Sequence, residues 1–401
     1  MGVSISYMGT KKGLAPAVAQ VIGYAKAGVL LDAFAGMCSV GEEVGCARQI
    51  WTNDIQLFAA QIAGALFTAH DEPMSSIAAA DIHYEFFDEH REHLVKLFAS
   101  SLIAEDDLLD STTFSVFSKR SRTLNTKLGQ ALGSLCRRRP YSLFSTLYSN
   151  NYFGLRQAIE ADALIRAIDI AHRTGAVTED HKRWFTIALG RALLKISNTT
   201  GHFAQFLKPK GSSFNRYLSL RRRSLWREWL FSVGELQPVG TVDWRRRNKS
   251  FNQDSLSLLP QLTNEGRCPA VVYADPPYTD DQYSRYYHVL ETLVRYDYPR
   301  VSGAGLYRPD RYCTPFSQKT KAPQAFDSFI KAAADGGADL VLSYPTNGLL
   351  HEAQVDPKQI LKRHYRKVRC CHRIAYNHST FGASKGVAQS EVTELIYLAQ
   401  L

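Results

Sequence analysis

Two short apolar runs, each closed by an acid, limit what this chain can fold into. Residues 29–33, Val-Leu-Leu-Asp-Ala, run into a glycine turn at Phe34-Ala35-Gly36, and residues 39–48 then carry a helical pattern. Residues 50–52, Ile-Trp-Thr, are closed by Asn53-Asp54, and residues 56–69 continue as a second amphipathic helix. Strand, glycine turn, helix, strand and acid make a βαβ unit, whose parallel strands need helices laid on the sheet. Strand-like runs return at 270–273, 338–343, 369–375 and 392–399. From about 85 to 235 apolar residues recur instead at three and four, as at Leu155, Ala158, Ile159, Ala161, Leu164, Ile165 and Ile168. The expectation is an α/β fold with a Rossmann-like, mostly parallel sheet. Residues 1–80 and 250–401 would form the sheet domain, and 81–249 a mainly helical insertion.

The charge is distributed unevenly. Residues 1–110 sum to −9, residues 111–250 to +17 and residues 251–401 to +2, which make up the overall +10. The middle holds Arg137-Arg138-Arg139, Lys208 to Lys210 and Arg221-Arg222-Arg223, with Arg245-Arg246-Arg247 at its end. Such a basic middle suits a polyanionic partner such as nucleic acid. Hydrophobic residues are 45% and charged residues 21%, a globular balance that excludes a disordered or fibrous chain. No apolar run approaches the ~18 residues of a membrane helix, and Met1 to Tyr7 has no basic region leading into an apolar stretch. The seven cysteines are scattered and form no Cys-x-x-Cys pair. Reduced thiols in the cytoplasm, with no structural metal, are expected.

The sharpest chemical signal is Tyr273-Ala274-Asp275-Pro276-Pro277-Tyr278-Thr279, directly after an apolar run. Two prolines fix φ and remove two backbone donors, and a residue before proline is held extended. A stiff turn at a strand end then presents a carboxylate, a free carbonyl and an aromatic ring. It suits a planar group bearing an exocyclic amine: Asp275 and the Pro276 carbonyl each accept one amine hydrogen, and Tyr278 stacks on the ring.

This turn resembles that of the S-adenosylmethionine-dependent DNA adenine-N6 methyltransferases with Asp-Pro-Pro-Tyr. Tyr7-Met8-Gly9-Thr10-Lys11 is similar to that branch's N-terminal motif, Asp32-Ala33-Phe34-Ala35-Gly36 to its cofactor loop, and Asn53-Asp54 to the acid after its second strand. The resemblance covers residues 1–80 and 250–401 and implies a target-recognition insertion before Asp-Pro-Pro-Tyr. It implies catalytic roles for Asp275, Pro276, Pro277 and Tyr278. It implies S-adenosylmethionine held by Tyr7, Lys11, Asp32, Phe34, Gly36, Asp54 and Asp254, with Lys11 beside either the cofactor or the active carboxylate. Asp54 would accept from ribose hydroxyls, as acids do in dinucleotide folds. Asp254 would accept from the cofactor's adenine amine, with Asp243 as its competitor. One departure stands out: the family commonly has a second glycine where this chain has Cys38.

Adenine in double-stranded DNA is the expected substrate, in a restriction-modification or defence context that could include a separate partner protein. RNA adenine methylation, and a nucleic-acid-binding protein with an inactive core, are the alternatives. Tyr286-Tyr287-His288 would begin a helix beneath the cofactor or in the core. Ser343 and Asn347 would sit at a strand's carboxyl end, and residues 377–385 would form a hairpin loop near the target base.

Overall fold

The computed structural model describes residues 11–134, 140–379 and 389–401. Seven strands form one sheet: β1 (Leu30–Asp32), β2 (Ile50–Asn53), β3 (Lys249–Phe251), β4 (Val271–Ala274), β5 (Asp339–Pro345), β6 (Lys367–Ser379) and β7 (Gln389–Gln400). Their order is β3-β2-β1-β4-β5-β7-β6. The first five are mutually parallel, and β7 runs antiparallel to both neighbours. All six expected strands are present. β3 escaped the sequence reading because its three residues, Lys-Ser-Phe, are half-buried and neither alternate nor form an apolar run.

Three helices belong to the first βαβ portion: α1 (Ala15–Gly23), α2 (Ser39–Val44) and α3 (Leu57–Thr68). Among the described residues nine follow before β3: α4 (Ser76–Leu97), α5 (Ala99–Leu109), α6 (Phe114–Ser134), α7 (Leu143–Leu147), α8 (Leu155–Arg173), α9 (Glu179–Ile196), α10 (Phe214–Arg221), α11 (Leu225–Glu235) and α12 (Val242–Arg245). The sheet region then adds α13 (Ser255–Asn264), α14 (His288–Arg295), α15 (Ala322–Asp335), α16 (Leu349–Glu352) and α17 (Pro357–His364). None of the described helices is long and apolar enough to cross a membrane.

Side chains alternate across the sheet, as pleating requires. Val271 and Tyr273 join one apolar cluster, and Val272 and Ala274 the other. The second cluster is closed by α13, α15 and α17 through Leu258, Phe326, Phe329 and Leu361. The first cluster runs from Val18 and Ile22 of α1, through Val341 and Ile396 of the sheet, into Leu164, Leu189, Leu193 and Trp229 of α8, α9 and α11. The long helical stretch therefore shares one apolar core with the sheet. A third, smaller cluster lies under α4, α5, α6 and α10.

Buried polar anchors hold this junction. Asp162 of α8 accepts from the Phe144 and Ser145 amides at 2.9 and 2.8 Å, and from the Ser145 and Tyr296 hydroxyls at 2.6 and 2.5 Å. Tyr287 and His288 are core residues. Tyr287 packs on Phe58 with ring centroids 5.3 Å apart, and the His288 ring nitrogen meets the Phe203 carbonyl at 2.9 Å.

Candidate active site

Open parallel sheets bind ligands outside the carboxyl ends of their strands, where the strand order reverses. Here β1 and β4 are neighbours at that reversal. A cleft opens above them with an empty volume of about 1020 Å³, including its mouth. Asp32 closes β1, Asp54 follows β2, Asp254 follows β3 and Asp275 follows β4, and all four line this one cleft. Lys11, Phe34, Gly36, Pro276, Pro277 and Tyr278 line it too. Tyr7 lies outside the described residues.

The glycine turn is bound to the second acid. Gly36, at φ +49°, donates its N–H to Asp54 Oδ2 at 3.0 Å, and the Gln56 N–H donates to Oδ1 at 2.8 Å. Burial pushes the Asp54 carboxyl up to about 6, and these two amide bonds oppose the rise. Each oxygen keeps a lone pair for a further donor. Burial raises Asp32 to about 8, the Phe34 N–H lowers it, and the Asp275 and Asp54 carboxylates raise it further.

Asp254 caps α13, accepting from the Leu256 N–H at 3.1 Å, and also receives the Tyr312 hydroxyl. Its competitor Asp243 is 89% exposed and paired with Arg246 at 3.1 Å, away from the cleft lining. Cys38, where the family has glycine, is fully buried at φ +65°, ψ 16°. This is the left-handed region that glycine enters most easily. The substitution keeps the turn's shape rather than redirecting it, and burial holds the thiol well above its ordinary pKa.

Lys11 lies against Asp275. The α1 entry turn, in which the Leu14 and Ala15 amides both bond the Lys11 carbonyl at 2.7 Å, carries its side chain inward. The ammonium lies 3.1 Å from Asp275 Oδ1, 2.6 Å from Glu394 Oε1 and 5.6 Å from the Tyr278 ring centroid. Burial raises the Asp275 carboxyl, Lys11 pulls it down and Glu394 pushes it up.

The sequence reading missed Glu394. It shares its strand with a second acid, Glu391, and nothing in the local pattern singles it out. It also missed the wall formed by Tyr312, Thr314 and Phe316. That wall is pinned to the turn after Tyr278: Ser284 donates to the Tyr312 carbonyl at 2.9 Å, and the Thr314 N–H donates to Gln282 Oε1 at 3.0 Å. Phe316 meets Phe34 edge to face at 5.4 Å. Ser343 is buried and donates to Glu394, whereas Asn347 is exposed and outside the lining.

Two of the expected nucleic-acid contacts, Arg221 and Arg245, are buried in the protein instead. Arg245 has no exposed surface. It donates to the Ala69 carbonyl at 2.6 Å and the Gly240 carbonyl at 2.7 Å, and pairs with Glu72 at 2.6 Å. Arg246 and Arg247 are exposed but precede β3, and Gln49, just before β2, donates to the Arg247 carbonyl. They sit at the amino edge of the sheet, opposite the cleft. Arg221 is buried, bonding the Asn151 carbonyl at 3.0 Å and lying over Tyr217. Arg222 and Arg223 remain exposed after α10. Arg137, Arg138 and Arg139 lie outside the described residues, as do residues 380–385 of the expected hairpin loop.

The cleft accommodates a cofactor with cationic, hydroxyl and amine groups. Carboxylates stand along it, Phe34 offers an apolar ring, and the buried Tyr273 hydroxyl in its wall has no hydrogen-bond partner among the described residues. An unsatisfied buried hydroxyl calls for a ligand or ordered water.

Comparison with known proteins agrees with this geometry. The family model for D12 class N6 adenine-specific DNA methyltransferases matches residues 248–337, which include Asp254 and Asp275 to Tyr278. The chain is 25% identical over 191 residues to the modification methylase LlaI of Lactococcus lactis subsp. lactis, covering 48% of this chain and 28% of the relative. It is 26% identical over 239 residues to the type II methyltransferase M.FokI of Planomicrobium okeanokoites, covering 55% and 32%. It is 26% identical over 215 residues to M.NlaIII of Neisseria lactamica, covering 53% and 56%. The matches thus span between about a quarter and somewhat over half of these relatives' lengths. No solved structure matches significantly. A proline-braced Asp-Pro-Pro-Tyr turn, a glycine turn tied to the following acid and the matched segment that contains the first of these point the same way: the sheet region of the chain is similar to the D12 class N6 adenine-specific DNA methyltransferases.

Proposed function

We propose that this chain transfers a methyl group from S-adenosylmethionine to the N6 amine of an adenine in double-stranded DNA, as a site-specific modification enzyme in a restriction-modification or defence context. One observation carries the reading. The Asp275-Pro276-Pro277-Tyr278 turn opens into the same cleft as Asp32, Gly36 and Asp54, so amine acceptor and cofactor loop face one space. Residues 1–80 and 250–401 are proposed as the catalytic part, and 81–249 as the target-recognition part.

S-adenosylmethionine supplies an electrophilic methyl group when bound. Asp32, Phe34, Gly36, Asp54 and Asp254 would hold it. The target base must leave the helical stack, at a cost of a few kcal/mol. Tyr278 gives it a ring to lie on. Asp275 and the Pro276 carbonyl accept the two amine hydrogens and turn the nitrogen lone pair toward the donor. Catalysis is then positioning and stabilisation of charge developing on nitrogen. A separate restriction or defence protein is the proposed biological partner.

The test is incubation with labelled S-adenosylmethionine and unmethylated DNA, followed by nucleoside analysis. Label in N6-methyldeoxyadenosine, lost in Asp275→Ala with cofactor binding kept, is the expected result. Label in RNA alone would move the substrate. An active Asp275→Ala variant would overturn the assignment.

A further inference from the structure

Glu394 is a fully buried carboxylate that meets the cleft-lining Lys11 and that the mechanism above does not use. Its placement follows from topology. β7 is antiparallel, so Glu394, in the middle of β7 and the first of its residues to pair with β5, stands opposite Pro345 at the end of β5, on the carboxyl edge where the cleft opens. It shares a sheet face with Ile396 and Leu398, which belong to the apolar cluster of α1. The α1 entry turn brings Lys11 to that face. The result is a chain of contacts: the Ser343 hydroxyl donates to Glu394 Oε1, Lys11 reaches the same oxygen at 2.6 Å, and Lys11 reaches Asp275 Oδ1 at 3.1 Å.

A buried ion pair is a poor source of stability, because desolvation offsets the attraction. A second buried carboxylate on the same ammonium adds repulsion. Two carboxylates therefore share one ammonium, beside a site that must accept two amine hydrogens. A lysine paired with Asp275 alone would neutralise the acceptor.

We propose that Glu394 is a positioning residue for methyl transfer: it holds the Lys11 ammonium at one oxygen of Asp275 and shares its charge, so that Asp275 keeps its other oxygen and its acceptor strength for the target amine. This rests on the function proposed above. The groups facing Asp275 are Lys11 from the α1 entry turn, Asp32 from β1, Tyr273 from β4, Tyr283 from the following loop and Glu394 from β7. Glu394→Gln changes one of these and keeps its shape.

Two measurements test the proposal. The first needs no DNA: the Asp275 carboxyl resonance, identified by its loss in Asp275→Asn, is titrated by carbon NMR in wild type and Glu394→Gln. Loss of the neighbouring negative charge should move its midpoint to lower pH. The second is turnover with saturating S-adenosylmethionine. Glu394→Gln should lower kcat at least tenfold, with cofactor affinity within twofold, and the acid limb of the kcat profile should move the same way. Glu394→Asp keeps the charge but withdraws it by one methylene, and should lie between the two in kcat. If Glu394→Gln does not fold, the Asp variant carries the test.

An unmoved Asp275 midpoint, or kcat within twofold of wild type in the folded variant, overturns the proposal. A lowered melting temperature with both readouts unchanged makes Glu394 a support of the fold and also overturns it. If the wild type methylates no DNA, the functional reading fails, and the titration still decides the role of Glu394.

Discussion

The Gly36 N–H donates to Asp54 Oδ2 at 3.0 Å, tying the turn after β1 to the end of β2. The acid therefore shapes the proposed cofactor loop as well as offering the cleft a carboxylate. Asp54→Ala removes both, and S-adenosylmethionine affinity should fall about 10- to 100-fold, since a hydrogen bond to a charged group is worth ~1.5–3 kcal/mol. Titration calorimetry checks this. A dissociation constant within twofold of wild type would remove Asp54 from the cofactor site.

Asp32 makes stability depend on pH in an unusual direction. Burial raises its folded carboxyl to about 8 from an unfolded value of 3.8. Between those values the native state holds more protons than the unfolded chain, so this group's contribution to stability falls as pH rises from about 4 to 8. Asp32→Asn removes that slope. Its melting temperature should exceed wild type's at pH 8, by the equivalent of at least ~1 kcal/mol, and converge with it near pH 4. The same variant should bind S-adenosylmethionine less well. Parallel melting curves across this range would count against the buried-charge account.

Cys38 occupies a left-handed conformation that costs a non-glycine residue ~1–2 kcal/mol. Cys38→Gly releases that strain while losing a buried thiol, and should be close to neutral. Cys38→Ala loses the thiol and keeps the strain, so it should be less stable than the glycine variant by about 1 kcal/mol. Cys38→Val adds β-branching at positive φ and should be the least stable of the three. Urea denaturation gives the order, and an alanine variant more stable than the glycine one would contradict it.

The arginines separate into structural and exposed sets. Arg245→Ala strands the Ala69 and Gly240 carbonyls it now satisfies, and should cost about 2–4 kcal/mol of stability. Arg222→Ala and Arg223→Ala should leave the melting temperature nearly unchanged. If these two meet phosphate, each should reduce the salt slope of DNA binding by about 1. Filter binding from low to moderate salt tests this; unchanged slopes would take the end of α10 off the DNA.

The sequence by itself determined the chemistry of the turn and the framework that carries it. The prolines at 276 and 277 act through their own rings, and the βαβ spacing from Asp32 to Asp54 is a local count, so both are legible without coordinates. Tertiary structure decided which charges are buried and which come together at the cleft. Arg245 and Arg222 look alike in sequence, yet one is sealed at the end of α12 against the Ala69 and Gly240 carbonyls and the other faces solvent. Glu394 lies 119 residues from Asp275 and 383 from Lys11, and only the reversed direction of β7 brings it to their side of the sheet. Short-range conformational rules act between chain neighbours, whereas a buried charge takes its meaning from whatever the fold packs against it, and that partner can come from anywhere in the chain.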